Sequence, residues 1–270
     1  MSTVVQCNSC GGSVVYDAEL EASKCIFCGS TEMGTPEEVS PEIPSPDAAL
    51  QVHVDTASAD EQYRNWATAS WWSPSELRSL TIELQMMFIP AWWIRGEVES
   101  HWSGLLPAAT KSGKMPTSGI SKGVFEDMVP ASQGITAAEL EELHPFNHGD
   151  QEPWSEADQE HPFEIPALSQ EGAQKWLHER LSHVHMQVIQ AENGLLSGVA
   201  SSKVEEEDHK LFMIPIYIGA FRFRDRAWRF VINAQTGEVV GDTPIDRAKV
   251  AKVVGGSLTA LWLLAKAAGG

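Results

Sequence analysis

The chain has 270 residues, 43% of them hydrophobic, and a formal charge of −18. That apolar content excludes a disordered chain, and the length gives room for one larger domain plus a small module. The acid excess excludes a broad nucleic-acid surface, which needs a basic patch.

The charge is unevenly placed. From Lys210 onward there are nine Lys/Arg against four Asp/Glu, whereas the first 209 residues carry ten against thirty-three. The basic C-terminal part suits local contact with an anionic partner, or is ordinary surface charge on strands.

All four cysteines of the protein lie in the first thirty residues, as Cys7-Asn-Ser-Cys10 and Cys25-Ile-Phe-Cys28, followed by Gly11 and Gly29. A two-residue spacer lets both thiolates of a pair reach one ion, at about 2.3 Å each. The glycines accept the positive φ of the tight turn, and the loop between the pairs fits the spacing of zinc sites. Disulfides or a redox pair are the competing readings, and two matched pairs favour zinc over either. A set of four thiolates is closed to water, which makes the metal structural. Cysteines taken up by metal fit a reducing compartment. The start, Met-Ser-Thr-Val-Val-Gln-Cys, has neither the basic region nor the apolar core of a signal peptide. A cytoplasmic protein is expected.

The expected fold is α+β. Residues 1–33 form a small β zinc ribbon, with Val14-Val15-Tyr16 in one of its strands. Residues 34–49, with four prolines and several acids, form an extended linker and a domain boundary. Residues 50–247 form an α+β body with an antiparallel sheet. Three capping boxes predict helix starts there, at Ser58–Glu61, Ser73–Glu76 and Thr136–Glu139. Met86 to Ile94 reads as a buried strand that continues to Trp102 by period-two alternation, and residues 103–122 as a Gly-, Ser- and Lys-bearing loop. Phe125 to Ala131 is a candidate strand.

The acidic stretch from His144 to Glu164, with His148 and His161, reads as a solvated loop, and a second metal site is the alternative. Ser169 caps the longest helix, whose apolar face carries Ala173, Trp176, Leu177, Leu181, Val184 and Val188, and Gly194 ends it. His178, His183 and His185 on that helix lack the spacing of a helical metal site and read as solvated or core-edge. Phe212 to Ile218 is a second buried strand, followed by Phe221-Arg-Phe-Arg224, by Trp228 to Ile232, and by a last strand at Glu238–Gly241. Ile89-Pro90 and Ile214-Pro215, each followed by a tryptophan at Trp102 or Trp228, form a weak internal echo that suggests two related β-units.

Residues 248–270 form a short apolar tail helix. Its thirteen uncharged residues, 253–265, span roughly 20 Å as a helix, short of the ~30 Å hydrocarbon layer. With Lys249, Lys252 and Lys266 at its ends and Trp262 inside, it suits an interfacial anchor or a helix packed on the body or a partner. Gly113-Lys114 lacks the other residues of a phosphate loop. Neither G-x-S-x-G nor H-E-x-x-H occurs, so no catalytic residues are assigned.

Several stretches together, Arg64-Asn-Trp66, Trp72-Ser-Pro74, Ile89-Pro90-Ala-Trp92, Val124-Phe125 to Ala131-Ser132, and Ile214-Pro-Ile-Tyr217 to Asn233-x-Gln-Thr-Gly237-x-Val-Val-Gly241, resemble bacterial TFIIB-type zinc-ribbon membrane proteins. The resemblance covers the ribbon and most of residues 60–245. It implies a body followed by transmembrane helices and partners in membrane stress or remodelling, and it implies no catalytic residues. This chain departs from it in having one short apolar tail.

The expected function is a non-catalytic adaptor with one structural Zn2+ on Cys7, Cys10, Cys25 and Cys28. Its ribbon docks a protein partner, and its tail contacts an anionic membrane or a membrane protein at the inner membrane face. Nucleic-acid or transcription-machinery binding by the ribbon is the second reading. It is opposed by Lys24 being the ribbon's one basic residue, against Asp17, Glu19, Glu21 and Glu32. A metal-dependent enzyme using residues 144–164 is the third.

Overall fold

The computed structural model describes residues 3–16, 24–38, 44–108, 113–155, 161–224 and 226–250. The chain is α+β and divides into two units, each gathered from three stretches. Unit 1 is Met1–Gln51, Met87–Glu141 and Asn147–Pro215, and unit 2 is Val52–Met86, Glu142–Phe146 and Ile216–Gly270. The charge divides along the same line. Unit 1 carries nine Lys/Arg against twenty-seven Asp/Glu, and unit 2 carries ten of each.

In unit 1 the hairpin of β1 (Thr3–Gln6) and β2 (Ser13–Tyr16) is extended on both sides. β3 (Glu37–Glu38) pairs with β1, and β8 (Phe163–Glu164) pairs with β2, placing Val14 opposite Glu164. β8 also runs parallel to β5 (Glu83–Pro107), through Phe88 and Phe163. The ribbon therefore shares a sheet with the body. The extended arm expected at 34–49 differs accordingly: Glu37–Glu38 is a ribbon strand, Gly34 N–H donates to Gln6 O at 2.7 Å, and residues 39–43 lie outside those described.

β4 (Ala48–Leu50) pairs antiparallel with β7 (Gln151–Pro153) and parallel with β9 (Ser197–Phe223). The sheet is mixed, not antiparallel as expected. The reason is that β8 and β4 are single short strands inserted beside long ones whose direction they happen to match.

The longest ladder joins β5 to β6 (Lys114–Pro130), from Ala91 opposite Pro130 to Pro107 opposite Lys114. Most of the expected 103–122 loop is therefore strand. Its glycines serve packing: a Cβ on Gly119 would come within 2.6 Å of the Trp102 ring, and one on Gly123 within 2.7 Å of Phe125. Trp102 stays in the same strand as Ile89, whereas Trp228 lies on the strand that pairs back, so the two tryptophans of the internal echo do not occupy equivalent positions.

α3 (Gln170–Asn193) packs on β6. Ser169 Oγ accepts from Gly172 N–H at its start, and Gly194, at φ 63°, ends it as expected. Its buried stripe is Ala173, Leu177, Leu181, His185 and Ile189, a strict i, i+4 row rather than the row through Val184 and Val188. This side of the sheet supplies Trp92, Ile94, Val129 and Ala131, with Leu211. Each fully buried side chain of this kind contributes about 1.5–3 kcal/mol. Arg180 ties the helix to β6 through Asp127 at 2.5 Å.

His185 is buried, contrary to expectation, because Ser100 gives its Nδ1 a partner at 2.9 Å, and Ser100 in turn meets Ser202 at 2.7 Å. Burial depresses its pKa below 6.5, with Glu192 opposing weakly. As the pH falls through 6.5 the unfolded chain binds the proton first, so stability declines there. Denaturant titrations from pH 7.5 to 5.5 are expected to show this slope, and His185→Gln to flatten it.

In unit 2, α1 (Thr56–Ala67) lies on the end of β9, on β10 (Arg226–Asn233) and on β11 (Val239–Gly241). Its cap is Asp55, whose carboxylate accepts from Ser58 N–H at 2.7 Å, three residues before the expected box. The second expected box yields only a short 3-10 helix, Ser75–Ser79, because the chain enters β5 at Glu83. The third is realised at α2 (Ala137–Glu142): Thr136 N–H donates to Glu139 Oε2 and Glu139 N–H to Thr136 Oγ1.

Tyr63 stacks on Phe230 at 4.6 Å and meets Phe221 at 5.6 Å in the core. Asn233 closes the β10–β11 turn. Its Oδ1 accepts from Gln235 and Thr236 N–H, and its Nδ2 donates to the carbonyls of Leu143 and Pro145.

No helix among the described residues is long and apolar enough to cross a membrane. Residues 251–270, where the sequence places most of the tail helix, lie outside those described.

Candidate metal centre

The two knuckles have the same backbone geometry. In the first, Gly11 N–H donates to Cys7 O at 2.9 Å and Cys7 N–H to Gly12 O at 2.9 Å. In the second, Gly29 N–H donates to Cys25 O and Cys25 N–H to Ser30 O, both at 2.8 Å. Gly11 and Gly29 sit at φ 82° and 71°, where a side chain would strain the turn. Each knuckle thus turns its two thiols to one side.

The facing knuckles bring all four sulfurs within 4.8 Å of one another. Cys7 and Cys28 lie 3.7 Å apart and Cys10 and Cys25 3.6 Å apart. A tetrahedron with metal–sulfur bonds of about 2.3 Å has edges of roughly 3.8 Å. The spacing fits four thiolates around one ion, and is too long for S–S bonds of ~2.05 Å. The close contacts run across the knuckles, between the two C-x-x-C pairs. This is the geometry of a shared ion rather than of a redox pair.

Burial is graded: Cys7 and Cys25 are buried, Cys10 is partly so, and Cys28 is exposed. Burial raises the Cys25 and Cys10 thiols above their ordinary range. Cys7 is also raised by burial, but backbone N–H groups of Cys10 and Ser9, with the neighbouring thiols, outweigh this and bring it to about 7. A cation is the natural counterpart of such a set, because it stabilises all four thiolates together.

A polar clasp closes the exposed side. Ser9 Oγ meets Ser30 Oγ at 2.8 Å and donates to Glu32 at 3.2 Å, and Asn8 N–H donates to Glu32 O at 2.9 Å. On the inner side Phe27 is buried against Gly12 and Gly134, where an added Cβ would come within 2.6 Å and 2.2 Å of its ring.

Glu164 secures the junction between ribbon and body. Buried on β8 opposite Val14, it accepts from the N–H groups of Gln133 (2.9 Å) and Gly134 (3.2 Å) and from the Ser132 hydroxyl. Spacing alone gave no hint of it, since its role depends on a pairing between residues far apart in sequence. Glu164→Gln is expected to cost about 1–3 kcal/mol by placing a donor against donors. Faster amide exchange at Gly12 and Phe27 than in the unaltered chain is the measurement that checks it.

Among the described residues, the other candidates do not assemble into a ligand set, and the four cysteines are the one group of three or more potential ligands close enough to share an ion. His148 stacks on Phe212 at 5.9 Å, and His161 lies 6.4 Å from Phe88. Gln151–Pro153 and Phe163–Glu164 are strands, so part of the expected 144–164 loop belongs to the sheet. Compared with protein-family models, curated proteins and solved structures, the chain matches none.

Proposed function

We propose that this protein is a non-catalytic adaptor whose four-cysteine site holds one structural zinc ion. The observation that carries the reading is the cluster of four sulfurs at the edges of a tetrahedron, fully supplied by the chain and so closed to water or substrate. Thiolate softness and tetrahedral spacing favour zinc, with iron the competing ion for such a set.

The ribbon is held in fixed orientation by β8 and Glu164 and presents the clasp of Asn8, Ser9, Ser30 and Glu32. That exposed, mildly acidic face is suited to a protein partner. Its shortage of basic residues opposes binding to phosphate backbones. The tail, 248–270, is the segment proposed to contact an anionic membrane or a membrane protein, in keeping with the resemblance to TFIIB-type zinc-ribbon membrane proteins.

Purified chain is expected to carry one zinc by elemental analysis. Iron, or two metals per chain, would overturn the assignment. For the adaptor role, Asn8→Arg with Glu32→Arg should abolish capture of the partner while zinc content is kept. Undiminished capture would end the ribbon's part in docking. Flotation with anionic vesicles at low salt tests the tail, and absence of binding removes the membrane contact.

A further inference from the structure

The turn between β9 and β10 in unit 2 carries Arg222, Arg224, Arg226 and Arg229 within eight positions, interleaved with Phe223 and Trp228. Arg222, Arg224 and Arg226 are exposed. Among the described residues none of these three has a carboxylate partner, whereas Arg64 and Arg180 reach Asp60 and Asp127 at 2.5 Å. Asp225, between them, lies outside the described residues.

The guanidinium groups are supported. Arg226 lies 4.2 Å from the Trp228 ring centre and Arg224 5.0 Å from that of Phe223. A planar fork held over a ring loses less freedom when it takes an anion, and it fits a carboxylate with two parallel hydrogen bonds. Arg224 also occupies φ 49°, a conformation in which glycine is the unstrained residue. Such positive-φ residues cost backbone strain, and here the strained position places a guanidinium at the turn.

We propose that this arginine tip docks onto the acidic unit 1 of a second copy of the chain. Charge complementarity selects that occupant. Unit 1 has a net charge of −18, with exposed carboxylates at Glu171, Glu179 and Glu192 along α3. Each of the two rings at the tip has a guanidinium over one face, and Trp228 also lies parallel to Phe221 at 6.5 Å, which leaves the arginines rather than the rings as the groups offered to a partner. Two reciprocal contacts of this kind close a twofold pair.

The test is sedimentation velocity of the full zinc-loaded chain at ~20 mM and ~500 mM salt, since such contacts are screened over a few ångströms at high salt. A dimer at low salt that becomes monomeric at high salt is expected. The combined variant Arg222→Glu, Arg224→Glu and Arg226→Glu should stay monomeric at both, with an unchanged thermal transition. Labelled variant should still bind wild-type chain, because its acidic unit is intact. Three outcomes overturn the proposal: a wild-type chain monomeric at ~100 µM in low salt, association undiminished in the variant, or a monomeric chain that binds phosphatidylglycerol vesicles or single-stranded DNA through these arginines.

Discussion

If the four-cysteine cluster holds zinc as proposed, Cys25→Ser is expected to abolish metal binding and unfold the ribbon. A buried Cys25 sits 3.6 Å from Cys10 and anchors the second knuckle through its backbone. Structural zinc in small ribbons supplies roughly 10–16 kcal/mol of apparent binding free energy, comparable with the whole stability of an ordinary domain at about 5–15 kcal/mol. The apolar residues buried in the ribbon, Val5, Val14, Val15 and Phe27, are too few to replace it. Metal content should fall from one to none, and hydrogen exchange should rise through residues 3–16 and 24–38. A chelator strong enough to strip the ion should reproduce both effects, and adding zinc back should reverse them. Retention of a full equivalent of metal by the variant would show that this sulfur is not a ligand.

Asn233→Asp should be the most damaging single change in unit 2. The substitution is nearly isosteric, but it removes both donors to the carbonyls of Leu143 and Pro145 and sets a carboxylate against them. Asn233 is fully buried, so the charge has no water to turn to. One orphaned buried polar group costs about 1–3 kcal/mol, and here two carbonyls lose their donor and face the second carboxylate oxygen, while Oδ1 keeps the Gln235 and Thr236 N–H groups. A loss of roughly 4 kcal/mol or more is expected from chemical denaturation. Asn233→Ala should fall between, because it removes the hydrogen bonds without adding the charge.

What could be read from the sequence was what local chemistry decides. The cysteine spacing identified the four-sulfur cluster because each knuckle is built from adjacent residues and their own backbone. The Thr136–Glu139 box, the Ser169 cap and the Gly194 stop were legible for the same reason. Where the structure departs, a distant residue decides. Gly119 and Gly123 look like loop until they are seen paired with Trp102 and Val98 of β5. His185 reads as solvated or core-edge from its spacing, and Ser100, 85 positions away, supplies the hydrogen bond that lets it be fully buried. The Ser58–Glu61 box predicts the start of α1 three residues late, since the Asp55 carboxylate takes the Ser58 N–H and caps the helix. The most consequential omission was β8. Two residues, Phe163 and Glu164, join the ribbon to the body, and a pairing that short leaves no periodicity to detect.

The pairing of β2 with β8 also has a consequence during synthesis. Val15 leaves the ribosome about 150 residues before Phe163, its neighbour in the sheet. At about 5–20 residues per second, the hairpin waits on the order of ten seconds for the strand that completes it. Over that interval β2 presents an open edge, and such edges recruit other chains. An ion captured early would hold the hairpin folded while it waits, so metal supply during translation should govern how much of the chain reaches its native state rather than aggregating. Zinc-limited expression should therefore lower soluble yield even when zinc is restored afterwards.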